Sequence, residues 1–117
     1  MTDQTNHGTN WTIYGVTFDA DKQVLTIGKG LFGREKVTYA DIEDVEFSES
    51  TRPGGAFMRS VYCNDIKVII HVKDDDEPII IDFVNRRLNV KGDEYRQTKA
   101  MAEHLAADLR AAQESAR

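Results

Sequence analysis

The sequence contains a single cysteine, Cys63, which excludes an internal disulfide. It has no apolar run that approaches the ~20 residues needed to cross a bilayer as a helix, so an integral membrane protein is not expected. The N-terminal residues, MTDQTNHGTN, lack the basic start and the apolar middle of a signal peptide. These absences predict a cytoplasmic, soluble domain.

An excess of basic charge is absent as well. The formal net charge is −5, which disfavours a general nucleic-acid binder or anionic-membrane binder. Charged residues of both signs make up 30 % of the chain and apolar residues 40 %, so a folded core is expected rather than disorder. A chain of 117 residues suits one domain. We predict a mobile tail over residues 1–10, a single domain over 11–113 and a frayed end over 114–117.

Most of the chain alternates between apolar and polar residues with a period of two, which is typical of half-buried β-strands. The first strand is expected to bend at Gly15, with Val16 and Phe18 on one face and Trp11 and Ile13 on the other. The alternation predicts seven strands, at residues 11–19, 23–28, 34–39, 44–48, 57–63, 66–73 and 79–83.

The connections after the third strand carry turn-forming residues. Residues 50–55, STRPGG, are predicted to form a loop, and Asn64 and Asp65 a tight turn. The fourth strand, which precedes that loop, has one wet face that includes Asp44 and Glu46.

Residues 28–33, GKGLFG, match the G-x-G-x-x-G pattern of dinucleotide sites. In such sites a helix begins at the glycines, because the pyrophosphate binds at the helix N-terminus. Residues 34–39 alternate and contain β-branched side chains, which predicts a strand instead. We therefore interpret 28–33 as a glycine-rich hairpin connection and expect no cofactor.

The last long segment has the period of a helix. In residues 93–112, Tyr95, Ala102, Leu105, Leu109 and Ala112 recur at steps of three and four and form one apolar stripe. We expect a mainly β (α+β) fold in which this single C-terminal helix covers the open end of a bent antiparallel sheet.

Residues 37–45, VTYADIEDV, combine a strand that ends on an aromatic residue, a short turn with an inward isoleucine, and a strand that starts on valine. The inward Ile79, Ile81 and Phe83 before the final helix fit the same arrangement. Together they resemble the bacterial pleckstrin-homology-like (PH and GRAM-like) domains, over residues 11–112. The resemblance implies a seven-stranded, partly open barrel capped by one C-terminal α-helix.

Some members of that family bind phosphoinositides at the open end of the barrel, through lysines and arginines in the first hairpin. The resemblance places acidic loops there in this chain, and we call their carboxylates the acidic mouth. Like charges repel a phosphorylated head group, so phosphoinositide binding is not expected. The acidic mouth is either a set of solvated turns or a site for a cation or a basic peptide. Its members are Asp19, Asp21, Asp41, Asp74, Asp75, Asp76 and Glu77.

Basic residues lie in or beside the other connections, and we call this set the basic surface. It is compatible with ordinary surface charge, with contact to an acidic partner or another copy of the chain, and with peripheral binding to lipid. Its members are Lys29, Arg34, Arg52, Arg86 and Arg87.

Three apolar residues, Ile69, Ile80 and Val84, fall on the outward phase of the last two predicted strands, near His71. They form either a partner or dimer interface, across the sheet face or by strand addition, or they pack under a loop after a shift of phase.

No catalytic, cofactor-binding or metal-binding set is predicted. His7, His71 and His104 lack ligand spacing and Cys63 stands alone, and no serine follows the glycine pattern of a nucleophile elbow. The sequence therefore predicts a non-catalytic interaction module that binds a protein partner or self-associates. The alternatives are a peripheral binder of anionic surfaces through the basic surface and, third, a small enzyme.

Overall fold

The computed structural model describes residues 10–28, 33–55, 58–84 and 86–117, with their side chains except at 53–55 and 58–60. In these residues the fold is mainly β, with two antiparallel sheets and one C-terminal helix, α1 (Asp93–Ser115). The first sheet contains, in order, β1 (Asn10–Ile13), β2 (Val16–Asp19), β3 (Val24–Gly28) and β4 (Arg34–Thr38). The second contains β5 (Ile42–Gly55), β6 (Met58–Val72) and β7 (Ile79–Asp82), and β8 (Leu88–Asn89) also pairs with β6.

The prediction of a mainly β fold with one C-terminal helix is confirmed, but the count of seven strands is not matched, because the described residues form eight. The two sheets do not close into a barrel within the described part of the chain. Residues 1–9 of the predicted mobile tail lie outside the described residues, and Asn10 begins β1.

The first predicted strand is a hairpin, which corrects the expected bend at Gly15. Tyr14 and Gly15 both have positive φ, at 49° and 80°, and such a two-residue turn reverses the chain. β1 pairs with β2, so Trp11 lies opposite Phe18 on the same face, where the two rings stack at 4.8 Å. The predicted separation of Trp11 and Phe18 onto opposite faces is wrong for this reason.

The predicted loop at 50–55 and the predicted turn at Asn64 and Asp65 are also corrected. Both segments belong to one long hairpin, in which β5 has 14 residues and β6 has 15. The register shifts between the pairs Ser50–Asp65 and Thr51–Cys63, which leaves Asn64 as the extra residue of a bulge. Residues 53–55 remain in β5 because it is an edge strand, where proline is tolerated.

The strand after the G-x-G-x-x-G match is confirmed. Residues 29–32 of that match lie outside the described residues, but Arg34 begins β4 and pairs with Gly28. A strand therefore occupies the place where a dinucleotide site would require a helix.

The core lies between the inner faces of the two sheets and beneath the helix. Alternate residues of the central strands point inward, as their sequence period predicts. The fully buried side chains from the sheets are Val16, Phe18, Leu25, Cys63, Ile66, Val68 and Ile70.

The helix joins the two sheets along one seam, between β1 and β5. The predicted stripe is confirmed, because Ala102, Leu105, Leu109 and Ala112 are buried. Tyr95, its first member, is half-buried and packs against the core.

Polar side chains of α1 also reach an edge of each sheet. The Trp11 indole N–H donates to Asp108 at 3.2 Å, and Arg110 and Gln113 donate to the Val45 and Glu43 carbonyls at 3.1 and 2.8 Å. The helix therefore binds to β1 and also satisfies part of the outer edge of β5.

The opposite seam, between β4 and β7, is open. A cleft of about 600 Å³ lies there, lined by Tyr14, Ile27, Glu35 and all of β7. The Tyr14 ring crosses one end of it and stacks on Phe83 at 4.1 Å. No helix in the described residues has the length and apolar character needed to cross a membrane.

Candidate interaction surfaces

The outer face of the second sheet brings together three of the four residues predicted to bind a partner. Ile69 lies opposite Ile80 on one side and Glu46 on the other, and His71 lies opposite Asp44. Ile80 is 50 % exposed and Ile69 is half-buried beside it. These two isoleucines form a small apolar patch at the edge of the sheet.

Val84, the fourth of those residues, does not share this row. It lies beyond the end of β7, is half-buried and packs against the core. The apolar patch therefore consists of Ile69 and Ile80 alone.

A polar cluster lies next to the apolar patch on the same face. His71 Nε2 is 2.5 Å from Glu46 Oε1, and both side chains are partly open to solvent. Asp44 joins them, and one ligand atom from each of the three residues lies within 4.8 Å of the other two. Because cross-strand neighbours and residues two apart on one strand share a face, the sheet itself creates this cluster.

The far end of the outer face is a polar groove of about 930 Å³. The Arg87 guanidinium lies 4.7 Å from the centre of the Tyr62 ring, a cation–π geometry, and Arg52 lies opposite Tyr62 in the strand register. Lys67, also in the groove, pairs with Asp65 at 3.3 Å. Arg52 and Arg87 form no ion pair with a carboxylate among the described residues.

The structure therefore gathers only part of the predicted basic surface. Arg52 and Arg87 meet at the groove, whereas Arg86 pairs with Glu94 at 2.6 Å and Arg34 lies at the start of β4 in the other sheet. Lys29 lies outside the described residues.

The three turns that carry the acidic mouth are linked by backbone hydrogen bonds. The turn of Asp19 and Asp21 joins the short 3₁₀ helix (Tyr39–Asp41), because Tyr39 N–H donates to the Gln23 carbonyl at 2.8 Å. That helix joins the third turn, because Lys73 N–H donates to the Asp41 carbonyl at 2.9 Å. The third turn contains Asp74, Asp75, Asp76 and Glu77, all of them exposed.

The side chains of these turns have local roles. Asp19 accepts a hydrogen bond from Lys22 N–H, and Asp75 accepts one from Glu77 N–H, each at 3.0 Å. Such contacts stabilise turns without a ligand. Asp75 and Glu77 also line the cleft between β4 and β7.

The role of the inward-facing carboxylate of Glu49 was not predicted from the sequence. Glu49 lies on the inner phase of β5, accepts a hydrogen bond from Tyr95 Oη and pairs with Lys99 at 3.3 Å. The hydrogen bond to Glu49 raises the pKa of Tyr95 above its ordinary value of 10.0, and the same carboxylate raises the pKa of Lys99. This network fastens the first turn of α1 to β5.

Two further inward polar groups, the Cys63 thiol and the Tyr39 hydroxyl, have pKa values that are raised by burial. Burial raises the pKa of the Cys63 thiol, which therefore stays protonated near neutral pH. Burial, with the nearby charges of Asp19 and Asp108, raises the pKa of Tyr39, whose hydroxyl has no hydrogen-bond partner in the described residues.

Comparisons with known proteins add no family to this geometry. No protein-family model, curated protein or solved structure matches the chain.

Proposed function

We propose that the chain is a non-catalytic interaction module with a pleckstrin-homology-like fold, which binds an extended segment of a protein partner along β7. The fold part is supported by the order of the elements, in which two successive antiparallel sheets are followed by one C-terminal helix that packs across a seam between them. The eight described strands depart from the seven of the family pattern.

The observation that carries the proposal is the free edge of β7 above the open cleft. β7 pairs only with β6 among the described residues, so its other edge presents backbone N–H and C=O groups to an added strand. Ile80 lies within β7 and lines the cleft. Its side chain is placed to contact the apolar residues of an added strand, which recur at every second position.

The charge of the cleft selects the kind of segment. Its described lining includes four carboxylates and no lysine or arginine; these carboxylates are Glu35, Asp75, Glu77 and Asp82. A segment that alternates basic and apolar residues matches this lining, because its basic side chains face carboxylates while its backbone pairs with β7.

Fluorescence anisotropy with two synthetic peptides of equal length tests this proposal. One peptide alternates lysine with valine and the other glutamate with valine, and only the first is expected to bind. Glu77→Lys should weaken binding by roughly 2- to 30-fold, because it removes one attraction and adds one repulsion of about 0.2–1 kcal/mol each.

Glu103→Lys is the matched control for that variant. Glu103 is exposed on α1 and does not line the cleft, so it carries the same change of charge elsewhere. Equal binding of the two peptides, or equal weakening by Glu77→Lys and Glu103→Lys, would contradict the proposal.

The same edge allows self-association, which light scattering coupled to size exclusion measures directly. If a second copy occupies β7, Ile80→Lys should return the chain to monomer mass. Met101→Lys is the control, because Met101 is 42 % exposed on the helix. Monomer mass for the wild type and for both variants would exclude self-association and leave binding of a partner segment.

A second candidate function, peripheral binding to an anionic surface, rests on the groove beside Tyr62. Arg52 and Arg87 face the same groove there, an arrangement suited to phosphate oxygens. Co-sedimentation with vesicles that contain anionic lipid tests it, with Arg52→Glu and Arg87→Glu as loss-of-binding variants. The same pelleted fraction with neutral and anionic vesicles would eliminate this candidate.

A further inference from the structure

We propose that Asp44, Glu46 and His71 form a binding site for a divalent transition-metal ion of the Zn²⁺ type. Asp44 and Glu46 are two residues apart on β5, and His71 lies directly across from Asp44 on β6. All three side chains therefore emerge on one face, at the corners of a small triangle. The site shares no residue with the cleft between β4 and β7, so it does not depend on the proposed function.

The distances suit a metal after a small adjustment. The three ligand atoms lie within 4.8 Å of one another. Zn²⁺ binds nitrogen and oxygen at about 2.0–2.2 Å, which places its ligand atoms roughly 3.3–3.6 Å apart in a tetrahedron. Asp44 and Glu46 are exposed, so both carboxylates are able to rotate by this amount without disturbing the core.

The orientation of His71 is already suitable. Its Nε2 atom faces the Glu46 carboxylate at 2.5 Å, so this nitrogen points into the cluster. Ile69, the neighbour of Glu46 across the strands, is half-buried and gives the site one apolar wall. A wall of this kind limits the access of water on one side and strengthens the attraction between the carboxylates and a cation.

The donor set defines the class of ion. The imidazole nitrogen of His71 is a borderline ligand that suits Zn²⁺ and its neighbours in the first transition row, which also accept the two carboxylates, whereas Ca²⁺ and Mg²⁺ prefer oxygen ligands alone. Three protein ligands leave the fourth position of a tetrahedron open to solvent. The proposal concerns binding of the ion and assigns no reaction to it.

Isothermal titration of the full chain with Zn²⁺ alone tests the site. We expect one ion per chain. Asp44→Asn, Glu46→Gln and His71→Gln should each weaken binding by at least ~10-fold, because loss even of groups that only orient metal ligands costs 10- to 100-fold. Ca²⁺ should show no saturable binding in the same assay.

His104→Gln is the matched control. His104 lies 3.6 Å from Asp108 on α1 but is not part of a three-residue cluster among the described residues. Circular dichroism confirms that each variant is folded, and Zn²⁺ should raise the Tm of wild type and His104→Gln but not of His71→Gln.

The competing explanation is a contact without any metal, in which His71 pairs with Glu46 and Asp44 stays solvated. Absence of saturable Zn²⁺ binding to the wild-type chain would establish that explanation and overturn the site. Equal binding by His71→Gln and wild type would place the ion elsewhere and overturn it as well. Equal affinity for Ca²⁺ would overturn the assigned class of ion.

Discussion

Replacing Leu105 with alanine tests whether α1 holds the two sheets together. Leu105 is 0 % exposed, and Leu109 of the same stripe and the adjacent Ala106 are buried with it. Loss of a fully buried leucine costs about 3–5 kcal/mol, which includes the transfer of its methyl groups and the cavity that remains. A domain of this size is stable by about 5–15 kcal/mol, so one substitution on the helix should remove a large share of the total.

The expected change in Tm follows from the length of the chain. An unfolding entropy of roughly 2.1 cal/mol/K per residue gives about 0.25 kcal/mol/K for 117 residues. Each kcal/mol therefore lowers the Tm by about 4 °C, and Leu105→Ala should lower it by about 12–20 °C. Far-UV circular dichroism during heating measures this shift, and urea titration gives the free energy of unfolding independently.

Met101→Ala provides the control on the same helix. Met101 is 42 % exposed, and its substitution should change the free energy of unfolding by no more than about 0.5 kcal/mol. If the two variants lower the Tm equally, or Leu105→Ala lowers it by less than about 4 °C, the helix does not pack against the sheets as described, and the closed seam between β1 and β5 is refuted with it.

Three further predictions concern the turns and the buried polar network. Deleting Asn64 should lower the free energy of unfolding, measured by urea titration, by less than about 2 kcal/mol, because removal of the bulge residue leaves the same side chains of β6 facing inward. Deleting Lys67 is the contrasting variant. It turns two fully buried side chains outward, at a cost of about 1.5–3 kcal/mol each. Gly15→Ala should destabilise the chain by about 1–2 kcal/mol, since Gly15 has φ of 80°; an unchanged urea midpoint would contradict that turn. Because the pKa of Tyr95 is raised in the folded state, its contribution to stability is complete below about pH 10 and declines as the pH rises through the folded value. Tyr95→Phe should therefore flatten the loss of stability above about pH 10 in pH-dependent urea titrations, and an unaltered slope would count against the hydrogen bond to Glu49.

The helix could be predicted from the sequence because its signal is strong and local. Five apolar residues at steps of three and four leave one orientation in which they are buried together, and four of them, including Leu105 and Leu109, are buried. The end of the helix differs from the prediction, since α1 extends to Ser115 rather than Ala112. The residues after Ala112 carry no sequence pattern that distinguishes a last helical turn from a frayed end.

The two errors in strand organisation have physical causes that no local pattern contains. Tyrosine is uncommon at positive φ, so Tyr14 gave no sign that a two-residue turn begins there. The residues STRPGG are typical of loops, yet pairing of β5 with a long partner strand keeps them extended. In both places tertiary contacts override the preference of the local sequence.

The site could be predicted only in part for a related reason. The outward phase of Ile69 and His71 and the wet face of Asp44 and Glu46 follow from alternation alone. Which residue lies opposite which depends on the register of β5 against β6, and the register depends on bulges that the sequence does not mark. The clustering of Asp44, Glu46 and His71 therefore could not be predicted without the register of β5 against β6.

The contacts of Arg110 and Gln113 with the Val45 and Glu43 carbonyls also limit how this protein is able to assemble. They occupy hydrogen-bond acceptors on β5, which is one margin of the second sheet. A second copy that pairs with β7, at the other margin, therefore meets acceptors on β5 that are already in use. Pairing of β7 with the β5 edge of a second copy is therefore hindered. A fibre that grows by pairing β7 of one copy with β5 of the next would need both margins, and the final helix occupies part of one of them.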